Sequence, residues 1–115
     1  MSFFLAGAGS PLVDFTAEVN DSFLQEFIPG CKGGTLNIDD AGRNRLFTAL
    51  KSKILRTPGG AAANTVCALG RAGVDVTFFG KTGNDEDGNY FRTELRKSGG
   101  LRLSAFDLFQ WVETF

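Results

Sequence analysis

Histidine is absent from this chain of 115 residues, and with it the commonest protein ligand for zinc. The two cysteines, Cys31 and Cys67, lie far apart and form no C-x-x-C pair. That spacing offers no zinc or other metal site and suits a reducing compartment, the cytoplasm. Neither sign of charge is in excess, since 12 Lys and Arg against 13 Asp and Glu give a formal net charge of −1. The basic residues are scattered, which excludes the electrostatic footprint of a nucleic-acid or anionic-membrane partner. Long hydrophobic runs are missing too. The apolar segment from Phe3 to Ala8 has no basic flank, is too short for a signal sequence, and reads as a buried first strand; nothing approaches a membrane span. The 43% hydrophobic content suffices for one domain with a modest core, burying about two-thirds of the unfolded surface.

What the chain does have is a glycine turn, Thr57-Pro58-Gly59-Gly60, running into the apolar stretch Ala61-Ala62-Ala63-Asn64. Paired glycines leave no Cβ in the way of a ligand, and the N-terminus of the helix that follows offers N–H groups to an oxygen-rich molecule. Asn64 is the one polar side chain carried into that helix. A small polar ligand is expected.

The period of the apolar residues sets the rest. After Phe3–Ala8, Gly7-Ala8-Gly9-Ser10-Pro11 breaks the chain before a strand-like Leu12–Val19, giving two strands or one bent one. Asn20 or Asp21 caps a short helix ending at Phe27, and Pro29-Gly30 closes it. Lys32-Gly33-Gly34 is a loop before Thr35–Ile38. From Asp39-Asp40 to Lys53 a second helix puts Leu46, Leu50 and Ile54 on one face with Phe47 beside them, and is expected to cover a sheet. A strand over Ile54–Arg56 leads into the glycine turn. The helix from Ala61 to Ala72 has almost no polar face and is expected to be buried nearly all round. Gly73 stops it, and Val74–Phe79 reads as an interior strand. Strand, helix and strand here predict a right-handed parallel crossover. The last helix, Asp85–Ser98, carries Asp85, Glu86 and Asp87 first and Arg92, Arg96 and Lys97 late, which complements its dipole. The tail from Leu101 to Phe115 is apolar and has no turn signal.

Gly59-Gly60-Ala61-Ala62-Ala63-Asn64, with Gly70, Gly73, Gly80, Gly83 and Gly88 at their spacings, resembles the N-terminal signature of the PfkB carbohydrate kinases, which have the ribokinase-like fold. Gly7–Asp14 is similar to that family's first strand, and Leu12–Asp40 most resembles its adenosine kinase branch. The likeness covers residues 1–99, leaving 100–115 as a tail of uncertain origin. The fold it implies is α/β, a partial parallel sheet flanked by helices with part of a small β lid at 12–19 and 35–38 and the C-terminal half missing.

The resemblance also implies roles. Asp14 and Asn64 match residues that hydrogen-bond sugar hydroxyls, and Gly59 and Gly60 match glycines against which the sugar lies. A carboxylate accepts from two hydroxyls while an amide donates and accepts, so the pair can read a vicinal diol. Two departures stand out. Ala61 replaces the lysine of many sugar kinases, favouring the nucleoside kinase branch or a divergent sugar kinase, and Ser10 stands where adenosine kinases usually carry asparagine. In the family the catalytic base, the γ-phosphate cradle and the site for ATP and magnesium come from a C-terminal half whose Gly-Ala-Gly-Asp turn does not occur here. The expectation is a truncated, inactive substrate-binding half of a carbohydrate or nucleoside kinase, with no catalytic residue, no cofactor site of its own and no metal site. A frameshift near Gly100 would produce such a tail.

Other readings compete. Asp14 could cap a turn and Asn64 the first turn of its helix, while Cys67 reads as a buried hydrophobe with no base to activate it. Asp85, Glu86 and Asp87 are explained by the helix dipole rather than by a metal. A dinucleotide site is disfavoured, since Leu12 stands where a third glycine is needed and Pro11 is followed by the strand-like Leu12–Val19 instead of a helix. The remaining alternative is a non-catalytic interaction or regulatory fragment that self-associates through an exposed sheet edge.

Overall fold

The computed structural model describes residues 4–30 and 32–97. In chain order the elements are β1 (Phe4–Ala8), β2 (Leu12–Ala17), α1 (Asp21–Phe27), α2 (Asp40–Ala49), β3 (Ile54–Gly59), α3 (Ala61–Arg71), β4 (Asp75–Phe79) and α4 (Glu86–Lys97). They fall into two compact units. One takes the chain up to Asp14 and resumes at Arg56, and the other is Phe15–Leu55. The division passes through β2 and β3, which pair as a two-stranded sheet.

In the first unit β1 pairs with β4 in parallel, Phe4 opposite Asp75 and Ala8 opposite Phe79. Helix α3 packs on both strands. Ala63, Val66, Cys67 and Gly70 form its buried stripe, at the spacing that keeps one helical face against a sheet. Val76 and Phe78 meet them from β4, and Phe91 and Leu95 from α4, with the rings of Phe78 and Phe91 5.9 Å apart. Local chemistry sets the helix ends. Asp85 caps α4, its carboxylate accepting from the Gly88 N–H at 2.8 Å, and Glu86 and Asp87 at one end and Arg96 and Lys97 at the other complement the dipole. Gly73, at φ +90°, turns the chain out of α3.

Three expectations change here. The crossover through α3 does not join two strands of one sheet, because β3 pairs with β2 while β4 pairs with β1. The first strand is not buried: Leu5 is 38% exposed, and Ala6 and Ala8 are exposed too. A continuous apolar strand needs cover on both faces and both edges, and among the described residues β1 has one neighbouring strand. Nor is α3 buried all round, since Ala61, Asn64, Thr65, Ala68 and Arg71 are exposed on its outer side.

In the second unit α1 and α2 are capped by Asn20 and Asp39, which accept from the Phe23 and Gly42 N–H groups at 2.9 and 2.7 Å. The rings of Phe23 and Phe27 stack at 4.5 Å, and Phe47 of α2 meets Phe15 of β2 edge-on at 5.1 Å under the Arg43 guanidinium. Helix α2 stops at Ala49 because Leu50 turns to extended backbone. Ile54 therefore belongs to β3 rather than to the helical face. Neither helix has a fully buried residue. Residues 34–39 adopt no regular structure, so the expected strand at 35–38 is not formed. Cys31, Ser98 and the tail from 100 to 115 lie outside the described residues.

Leu95 is fully buried at the contact of α4 with the core. Its replacement by alanine is expected to cost about 2–5 kcal/mol of unfolding free energy, read from the urea midpoint. An unchanged midpoint would contradict this placement.

Candidate functional site

The four residues singled out by the glycine turn and its resemblance lie at the junction of β2, β3 and α3. Alternation along β2 turns Val13 inward and leaves Asp14 exposed. Asp14 is the third residue of that strand and does not stand at a turn. Gly59, buried at the end of β3, lies directly under its carboxylate: a Cβ there would overlap Oδ2 and meet Cγ at 2.8 Å. Gly60 follows at φ +100° and ψ 136°, a conformation open only to glycine, with the Ser10 carbonyl oxygen 2.7 Å from where a Cβ would point.

Gly60 is the N-cap of α3 and makes no side-chain capping bond. Its carbonyl accepts from the Asn64 N–H at 2.9 Å, the first bond of the helix. The amides of Ala61, Ala62 and Ala63 precede that bond and have no partner within the helix. Asn64 does not cap the helix; its exposed side chain lies one turn along α3, on the wall of a cavity of about 430 Å³ that also borders Arg56, Arg71, Tyr90 and Glu94. Asp14 and Gly59 are therefore brought together with Gly60 beside them, whereas only Asn64 of the four borders that cavity.

Arg56 and Tyr90 escaped the sequence reading. The Arg56 guanidinium lies 3.9 Å from the centre of the Tyr90 ring, and the Tyr90 hydroxyl donates to the Arg56 carbonyl at 2.5 Å. Arg56 also pairs with Glu86 at 3.2 Å and Asp87 at 3.6 Å. Those two acids thus have a second role beside the helix dipole. The available signal was one arginine in a strand and one tyrosine on a helix, far apart in the sequence and joined only by the fold.

Cys67 is a buried free thiol. Among the described residues no three His, Cys, Asp or Glu converge where they could hold a metal ion. No described helix is long and apolar enough to cross a membrane.

Residues 34–99 match the description "pfkB family carbohydrate kinase". The chain belongs to the pfkB family. The family's relatives include the probable fructokinase-5 of Arabidopsis thaliana, 33% identical over 92 residues, which are 80% of this chain and 24% of that protein. Fructokinase-2 of Oryza sativa subsp. japonica is 42% identical over 76 residues, 66% of this chain and 19% of the relative. Among solved structures, adenosine kinase from Sinorhizobium meliloti superposes with a TM-score of 0.70 at 28% identity, over 88% of this chain and 30% of that one. The fold is thus the α/β arrangement of ribokinase-like kinases, and fructokinases and adenosine kinases both occur among the matches. The chain spans less than a third of each of these proteins.

At Gly60 a side chain has to adopt backbone angles reserved for glycine. Gly60→Ala is expected to lower stability by about 1–3 kcal/mol in thermal denaturation, and wild-type stability would contradict the left-handed turn.

Proposed function

We propose that this chain provides the substrate-holding part of an ATP-dependent carbohydrate or nucleoside kinase of the pfkB family, one that phosphorylates a sugar hydroxymethyl group. The observation that carries this reading is the Asp14 carboxylate seated over Gly59 beside the glycine-only backbone of Gly60. A sugar ring can reach bare backbone there. Asp14 accepts from two hydroxyls and the first-turn amides of α3 add donors for ring or hydroxyl oxygens. The Asn64 amide, which borders the cavity and not the Asp14 carboxylate, is assigned to the same ligand on the family resemblance. Ser10 and Ala61 flank the same turn and leave ribose, fructose and a nucleoside all open as ligands. The segments 12–19 and 35–38 are assigned, on the family resemblance, to a lid whose role is to exclude water during transfer.

Transfer itself needs a base for the attacking hydroxyl, a γ-phosphate cradle and magnesium-bound ATP held in line. The Gly-Ala-Gly-Asp turn that provides the first two in the family is not in this sequence. This chain therefore binds, in the cytoplasm, without catalysing. A second reading, a non-catalytic fragment that associates with itself or a partner, is favoured by Leu5 and Phe79, exposed on paired strands β1 and β4.

Calorimetry with fructose, ribose and adenosine in the absence of ATP separates the two. The wild-type chain is expected to bind one of them, and a folded Asp14→Ala variant to bind it about 10- to 100-fold more weakly, the loss of hydrogen bonds to a charged group. Equal affinities would remove Asp14 from the site. Adding ATP and magnesium is expected to yield no sugar phosphate, and measurable turnover would overturn the claim that the chain lacks the catalytic machinery.

A further inference from the structure

We infer that Arg56 and Tyr90 are positioning residues that set the place of the glycine turn, and through it the place of Asp14. This inference rests on the substrate-holding role just proposed. Strand β3 ends Arg56-Thr57-Pro58-Gly59. Pro58 has no N–H, so the residue before Gly59, which lies under the Asp14 carboxylate, brings one backbone donor fewer. Helix α4 supplies a separate hold on this strand. Tyr90 grips Arg56 twice, its hydroxyl bonding the Arg56 carbonyl at 2.5 Å and its ring lying 3.9 Å from the guanidinium. Carbonyl and side chain of one residue are both held by one partner, which restrains both the position and the rotation of that peptide. Proline's fixed φ then makes Thr57-Pro58 a short stiff link from that grip to Gly59.

The magnitudes separate the contacts. The Glu86 side chain is 87% exposed, so its pairing with Arg56 is screened and contributes little. The stack and the hydroxyl bond are partly buried and do the holding. They are not needed to keep α4 on the core, because Phe91 and Leu95 do that from its buried face. Tyr90 is half-buried, on the wall of the cavity that Asn64 also borders. Removing its hydroxyl loosens the turn and leaves the core packing intact.

Tyr90→Phe deletes the hydroxyl bond and keeps the ring; Arg56→Lys keeps the charge and loses the flat stack. Hydrogen exchange at the Gly59 and Gly60 amides of the whole chain, and affinity for fructose, ribose and adenosine measured well below the melting temperature, read the consequences separately from global stability. Each variant is expected to exchange faster at those two amides with core amides in α3 unchanged. Each is also expected to bind the preferred ligand about 3- to 10-fold more weakly, the worth of one ordinary hydrogen bond. Wild-type exchange at Gly59 and Gly60 in both variants overturns the inference, whether or not the chain binds any of the three. Faster exchange with unchanged affinity, in a chain that does bind, also overturns it. Faster exchange in a chain that binds none of the three upholds the grip on the turn and counts against the substrate-holding role alone.

Discussion

A carboxylate can rest on the backbone only where no side chain stands, and the organisation of the first unit follows from that requirement at Gly59. Any larger residue would collide with Asp14. The next residue must then turn sharply into α3, and Gly60 does so at φ +100° with the Ser10 carbonyl close by. Gly59 at the end of β3 thus lies against the Asp14 carboxylate, and Gly60 at the start of α3 lies against the β1–β2 connection at Ser10. Such close approach is costly in chain entropy, since glycine loses more freedom on folding than any other residue. The proposed site places a hydroxyl-bearing ligand against the exposed carboxylate that this turn frames.

The core beneath this site is small, comprising Ala63, Val66, Cys67, Val76, Phe78, Phe91 and Leu95. It holds α3 and α4 against a sheet of two described strands, an arrangement of marginal strength. Leu5 and Phe79 stay exposed on β1 and β4. The core thus packs α3 from its buried face, and Gly59 and Gly60 lie at the N-terminus of that helix, where the proposed site is placed.

Features written in neighbouring residues were legible in the sequence. Asn20 was one of two cap candidates for α1 and Gly73 the expected end of α3, while Asp39 and Asp85, expected to open their helices, turn out to be caps; each effect acts within one turn of backbone. Gly59 and Gly60 marked a tight turn for the same reason, and the structure has that turn. Pairings between distant strands were not legible. Helix α3 was expected to link strands of one sheet, and instead links β3, the partner of β2, with β4, the partner of β1. Burial of β1 and of the outer face of α3 was over-read, since an apolar pattern reports what a strand or helix can cover, not which neighbours are there to cover it. Tyr90 and Arg56 met the same limit from the other side: nothing local to either residue indicates a partner 34 positions away.

Titrating the isotopically labelled chain with fructose, ribose and adenosine while following each backbone amide by NMR tests the central claim most directly. The account predicts saturable shifts for one of these ligands, centred on Asp14, Gly59, Gly60 and Asn64. Saturable shifts that leave those four residues untouched, or that centre on Arg71 and Glu94 instead, would contradict it.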